Sequence, residues 1–177
     1  MDVQANGYLS GYIDQDTGEP HKVEQHIIHM KDMIIPMYDD IFLDIFRHNH
    51  VHYVFKGGRG STKSSFVGGI IIPLLLMANP DVNAVCFRKV ANTIQNSIYS
   101  QVVWGIYALG LENLFHIPKT YSNPIVYLPT GQKIVFMGMD DPNKVKSIKL
   151  AKGYIGITWF NNSDQVKPLE FMETPNI

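Results

Sequence analysis

Between a short apolar stretch, His52-Tyr53-Val54-Phe55, and an apolar run from Phe66 to Ala78 lies Lys56-Gly57-Gly58-Arg59-Gly60-Ser61-Thr62-Lys63-Ser64-Ser65. Gly57-x4-Thr62-Lys63-Ser64 nearly matches the phosphate-loop pattern G-x4-G-K-[ST]. In such a turn successive backbone N–H groups point inward and wrap phosphate oxygens. The following helix presents unpaired N–H groups and the positive end of its macrodipole. Lys63 is expected to reach the β- and γ-phosphates, and the Ser64 hydroxyl to ligate Mg²⁺. One position departs from the pattern: Thr62 replaces glycine, which is costly if the site needs a positive φ.

The rest of the chain reads as alternating strands and helices. Tyr38, Ile41, Phe42, Ile45 and Phe46 follow helical spacing, with Asp39, Asp40 and Asp44 on the other face. His52–Phe55 is expected to be a short buried strand. Residues 66–78 are expected to form a buried helix, kinked or tightened at Pro73. Asn83–Phe87 reads as a second buried strand closing on Arg88-Lys89. Ile94, Ile98, Val102 and Ile106 mark a helix over about 92–109, with Gly110 placed as its C-terminal cap. Ile125–Leu128 and Lys133–Phe136, joined through Pro129-Thr130-Gly131, read as a hairpin, and Tyr154–Phe160 as a last buried strand. This alternation predicts an α/β fold with a largely parallel sheet flanked by helices.

Charge and composition narrow the function. The 177 residues hold 15 Lys/Arg against 16 Asp/Glu, a net charge of −1, which excludes nucleic-acid binding by bulk charge alone. Residues 1–50 carry nine acids and three Lys/Arg, so the remainder is mildly basic. The single Cys86 excludes an internal disulfide framework. No secretory signal is expected at the N-terminus, and the thirteen-residue run 66–78 is shorter than the ~20 residues of a membrane span. A calcium loop at 14–18 lacks its closing Glu. His48-x-His50-x-His52 is a possible metal comb, but a polar lead-in to the first strand is the favoured reading.

Several ordered stretches resemble large terminase subunits of tailed bacteriophages. Gly57–Ser65 looks like their phosphate loop. Phe87-Arg88-Lys89-Val90-Ala91-Asn92-Thr93, continued by Ser97-Ile98-Tyr99, resembles the segment after their second strand. Gly131–Pro142 resembles their hairpin and loop, with Lys144, Lys146 and Ser147 following. Gly156-Ile157-Thr158-Trp159-Phe160 resembles the strand that ends in their acidic pair. The resemblance covers about residues 37–167. It implies a RecA-like P-loop NTPase core, incomplete at the C-terminus, that binds Mg²⁺ and ATP and drives double-stranded DNA into a capsid. It implies a homo-oligomeric ring on the portal protein, a small terminase subunit as partner, and a place in the host cell cytoplasm. It assigns nucleotide binding to Gly57, Gly58, Arg59, Gly60, Ser61, Thr62, Lys63, Ser64 and Ser65. Lys63 and Arg59 are its catalytic candidates, Arg59 facing the γ-phosphate. Tyr38 lies where such ATPases often contact adenine, although a core or surface aromatic is the favoured reading.

The pattern breaks in two places. The strand 154–160 should end in two acids, one in the Mg²⁺ shell and one polarising the attacking water, but the chain has Asn161-Asn162. Asn161 stands at the Mg²⁺ acid and Asn162 at the catalytic Glu. An amide carbonyl can accept from a Mg-bound water, so Asn161 is a weak metal candidate beside Ser64, but an amide carries no charge and is no base at neutral pH. Loss of one general base costs roughly 10²–10⁴-fold in rate. Asp164 lies beyond the strand end. The second break is length. Residues 1–32 are expected to be an N-terminal arm and 33–177 a partial ATPase domain, with the family's nuclease domain absent; Asp140-Asp141 reads as an acidic loop. Hydrolysis is therefore expected to be impaired, and a non-catalytic nucleotide-binding fragment is the alternative. Arg88 is expected at the ligand edge of the sheet, contacting a phosphate, a neighbouring subunit or a structural partner. Lys133, Lys144, Lys146, Lys149 and Lys152 are candidates for a DNA-facing surface. A small P-loop kinase is disfavoured, because only Arg59 and Arg88 lie in motif positions.

Overall fold

Strand β5 (Val82–Arg88) is apolar at almost every position and buried along nearly its whole length, as a central parallel strand must be. It pairs in parallel with β8 (Gln132–Gly138) on one side and β9 (Tyr154–Asn161) on the other. Unlike the buried strand expected, β9 is an edge strand among the described residues; it is exposed or only partly buried along its length, and only Asn161 at its end is buried. β7 (Ile125–Tyr127) joins β8 antiparallel, and β6 (Phe115–His116) joins β7 antiparallel. The order is β6-β7-β8-β5-β9. The expected hairpin is present, and it makes the sheet mixed rather than largely parallel. A tight turn can only return the chain antiparallel, so the edge that it builds departs from the parallel centre.

The computed structural model describes residues 2–4, 12–13, 20–21, 27–58, 60–139, 148, 150 and 152–161. Arg59, Asp140, Asp141, Lys144, Lys146, Lys149, Asn162 and Asp164 lie outside them. N-terminal to the main sheet are two short antiparallel pairs. β1 (Asp2–Gln4) pairs with β4 (Ile27–His29), and β2 (Tyr12–Ile13) with β3 (Pro20–His21).

The helices follow the apolar periodicity, with modified ends. Helix α1 (Met30–Met33) is short. A 3₁₀ turn at Pro36–Tyr38 feeds α2 (Asp39–Phe46), which buries Phe42 and Ile45. The helix after the glycine-rich loop opens as π-helical turns at Ser65–Ile71 and continues as α3 (Ile72–Ala78). Ile72 N–H bonds back to Val67 O, and Pro73 stands at the start of the α segment, where its missing N–H is tolerated. The next helix likewise passes from π turns at Gln95–Tyr99 into α4 (Ser100–Ala108). The two long helices touch backbone to backbone: a Cβ on Gly105 would lie 2.0 Å from the Gly69 carbonyl oxygen.

Two buried amides lock the sheet. Asn83 Nδ2 donates to Lys152 O (3.0 Å), and its Oδ1 accepts the Lys133 N–H (2.8 Å), so it ties β5 to both neighbours. Gln132 Nε2 lies 2.8 Å from Leu76 O, 2.7 Å from Asn79 O and 2.6 Å from Val82 O. It adds a side-chain donor to the carbonyls where α3 ends and β5 begins, beside the backbone bonds Asn79 N–H to Leu76 O and Val82 N–H to Asn79 O.

One expected element is missing. His52–Phe55 is extended but pairs with no strand among the described residues. Its alternation survives: Tyr53 and Phe55 are partly buried, whereas Val54 is 81% exposed. Phe55 sits edge-on against Phe66, and the Tyr53 hydroxyl donates to Asp44 Oδ2 (2.9 Å). Side-chain anchors hold this segment where a ladder was expected.

Candidate functional site

The glycine-rich loop leads into the π turns at Ser65, and the carboxyl ends of β5 and β9 lie beside that helix start. Gly60 takes φ +78°, and Thr62 takes φ +56°. The position that the pattern reserves for glycine is therefore left-handed here, and a β-branched residue occupies it at a cost of roughly 1–2 kcal/mol. The Thr62 hydroxyl donates to Ser61 O (2.7 Å).

Lys63 folds over the loop. Its ammonium donates to Gly57 O (2.8 Å), to Gly58 O (3.1 Å) and to Ser61 Oγ. The charge thus sits on the carbonyls of the loop. Gly57, Gly58 and Gly60 are exposed, and Ser64 and Ser65 are partly buried. Ser65 Oγ accepts from Gln101 Nε2 (3.2 Å), which joins the loop to the second long helix.

Tyr38 is not an adenine platform here. It is buried, its ring stacks on Phe66 with centroids 4.3 Å apart, and its hydroxyl donates to Ser61 O (2.8 Å). It braces the loop from behind. Nothing in the spacing of α2 pointed to that hydroxyl contact.

Arg88 and Asn161 are register partners at the ends of adjacent parallel strands. Ligands of open α/β sheets bind at this edge. Arg88 Nη1 donates to Asn161 Oδ1 (2.5 Å), and Asn161 Nδ2 donates to Ser64 Oγ (3.2 Å). Arg88 Nε donates to Thr93 Oγ1 (2.7 Å), whose hydroxyl donates in turn to Val90 O (2.7 Å). The chain Thr93–Arg88–Asn161–Ser64 therefore links β5, β9 and the start of the helix that follows the glycine-rich loop. Sequence reasoning placed Arg88 and Asn161 at the edge and had Thr93 in the family-like stretch 87–93, but gave Thr93 no role.

A divalent cation in a phosphate-loop site takes the loop hydroxyl and a strand-end carboxylate as oxygen ligands. The three side chains meeting here are a hydroxyl, an amide and a guanidinium. The amide turns its N–H toward Ser64 and its carbonyl toward Arg88. Arg88 has no acceptor, so the opposite orientation would set donor against donor. Among the described residues this set offers a dication no charged ligand, so the weak metal role expected of Asn161 gains no support.

Away from this edge, the histidine comb does not assemble. His48 sits at φ +54° in a turn, and His50 Nδ1 pairs with Asp44 Oδ2 (2.8 Å). Among the described residues no group of three or more His, Cys, Asp or Glu could hold a metal. Hydrogen bonds from Asn49, His50 and Tyr53 hold the Asp44 carboxyl down to about 2. Burial pushes the Cys86 thiol up, so it stays protonated and inert. Of the lysine candidates, Lys133 is partly buried on β8 and Lys152 is exposed before β9. No described helix is long and apolar enough to cross a membrane.

A family model described as phage terminase large subunit matches residues 49–174. The chain is similar to the "Terminase, large subunit" of Bacillus phage SPP1, with 32% identity over 143 residues covering 81% of this chain and 33% of that protein. It is also similar to the "PBSX phage terminase large subunit" of Bacillus subtilis strain 168, with 28% identity over 141 residues covering 79% of this chain and 30% of that protein. The chain thus spans about a third of the length of these curated relatives.

Proposed function

The chain belongs to the phage terminase large-subunit family, and on that premise we propose that it is the ATP-binding portion of a DNA-packaging motor. The observation that carries this reading is the convergence of Lys63, Ser64, Asn161 and Arg88 at one sheet edge. Backbone N–H groups of the 57–65 loop wrap the phosphates, Lys63 leaves the loop carbonyls for the terminal phosphate oxygens, and Tyr38 holds Ser61 while it does so. Arg59 faces the γ-phosphate from within the loop. Residues 33–177 contribute to the ATPase domain, and residues 1–32 are an N-terminal arm. Its partners are double-stranded DNA, the portal protein, a small terminase subunit and further copies in a ring. It works in the host cell cytoplasm, at the procapsid portal.

Terminase large subunits are in general ATPases that use Mg²⁺. The reading commits this chain to ATP, and its donor set does not favour the metal. Calorimetric titration of ATP tests it: the chain should bind, and Lys63→Ala should lose about tenfold or more in affinity, the scale of a charge-assisted phosphate contact. Equal affinity of the two would refute it.

A second reading, nucleotide binding without hydrolysis, is favoured by Asn161, a neutral amide at the strand end. Steady-state ATP turnover should stay at background in the unmodified chain and rise in a variant carrying Asn161→Asp with Asn162→Glu. Brisk turnover in the unmodified chain would sink the second reading.

A further inference from the structure

Arg88 is partly buried and held from two sides, by Thr93 at Nε and by Asn161 at Nη1. Asn161 is buried and neutral. A carboxylate in its place would form an ion pair with the guanidinium and cancel its charge; the amide orients the guanidinium and leaves the charge in force. The same amide donates its N–H to Ser64 Oγ, so it turns a donor, not a carbonyl oxygen, toward the hydroxyl. Of the described side chains that meet at this corner, Ser64, Arg88, Thr93 and Asn161, only the guanidinium is charged, which favours an anion. Lys63 adds a second positive charge at the loop mouth.

Building on the nucleotide-binding reading above, we infer that Arg88 supplies the positive charge that a divalent cation supplies in other phosphate-loop sites. The ligand is then the uncomplexed triphosphate of a nucleoside. A guanidinium suits this role because it is charged at every working pH and its planar fork matches two phosphate oxygens at once. Thr93 and Asn161 fix the plane of that fork before the ligand arrives, which lowers the ordering cost of binding. No bond is made or broken; this is a binding assignment, and Arg88 is its specificity residue.

The test is equilibrium titration of a fluorescent ATP analogue into the full chain, once with excess Mg²⁺ and once with excess EDTA. The unmodified chain should bind with dissociation constants that differ by less than about tenfold between the two buffers. Arg88→Gln should weaken binding in EDTA by about tenfold or more, and Arg88→Lys, which keeps the charge, by clearly less. Asn161→Asp should weaken binding in EDTA and bind more tightly when Mg²⁺ is added. Its carboxylate both neutralises Arg88 and supplies a metal ligand. Thermal melts report whether each variant folds; if Arg88→Gln does not, Asn161→Asp decides alone. A tenfold or greater loss for the unmodified chain on moving from Mg²⁺ to EDTA overturns the inference and leaves nucleotide binding intact. Unchanged EDTA affinity in Arg88→Gln or Asn161→Asp overturns it as well. Absence of binding in both buffers overturns the nucleotide-binding reading, and the inference falls with it.

Discussion

Thr62→Gly should stabilise the protein, against the usual direction for a substitution that deletes a side chain. Thr62 is held at φ +56°, a conformation costing roughly 1–2 kcal/mol for an L-residue. Glycine adopts it freely but loses more backbone entropy on folding, about 0.5–1 kcal/mol. The hydrogen bond from the Thr62 hydroxyl to Ser61 O is exposed, and water replaces it at little cost. The balance is about 0.5–1 kcal/mol in favour of the glycine variant, a rise in Tm of about 1–4 °C for a chain of this size. Thr62→Ala separates the causes. It loses the hydroxyl and the branch but keeps the Cβ, so it retains most of the strain and should gain less. Differential scanning calorimetry of the three proteins reads the result. A lower Tm for Thr62→Gly than for the unmodified chain would refute the strain argument, and equal gains for the glycine and alanine variants would assign the effect to the branch alone.

Gly105→Ala should destabilise the chain by about 1–3 kcal/mol, measured by urea unfolding, because its Cβ would meet the Gly69 backbone at 2.0 Å and neither helix can retreat cheaply. Asp44 predicts a pH dependence. Its folded-state pKa is lowered to about 2, so its contribution is fully present above the ordinary carboxylate value of 3.8 and is lost as pH falls from there through about 2. The urea midpoint should therefore fall more steeply across that window in the unmodified chain than in Asp44→Asn; identical slopes would show that the Asn49, His50 and Tyr53 contacts contribute nothing.

Much of the fold was legible because its signals are local. The mostly apolar runs of β5 and β9, the turn residues 129–131 and the fourfold apolar spacing of residues 94–106 each specify an element without reference to any other, although the run of β9 misled as to its burial, which depends on its place at the sheet edge. The strand expected at His52–Phe55 failed because a strand needs a partner edge, and pairing is not written in alternation alone. Its alternation was real, with Tyr53 and Phe55 turned toward protein and Val54 toward solvent. In the site, the loop and the strand-end amides could be read by position. What Asn161 does could not: which way its amide turns depends on Arg88, 73 residues earlier, and on Thr93 behind it. Thr62 was legible as a conflict, and the left-handed backbone gives that conflict its physical content. Tyr38 was legible as an aromatic near the loop, but its hydroxyl contact with Ser61 depends on the stack with Phe66, a tertiary fact.

The central claim is that the 57–65 loop is where nucleotide binds. Hydrogen exchange followed by mass spectrometry, with and without saturating ATP, tests it most directly. Peptides spanning 57–66 should slow markedly on adding ATP, because the loop N–H groups become donors to phosphate, and the end of β9 at Phe160-Asn161 should slow with them. Unchanged exchange in 57–66, with ATP bound and protection appearing elsewhere, would contradict the account.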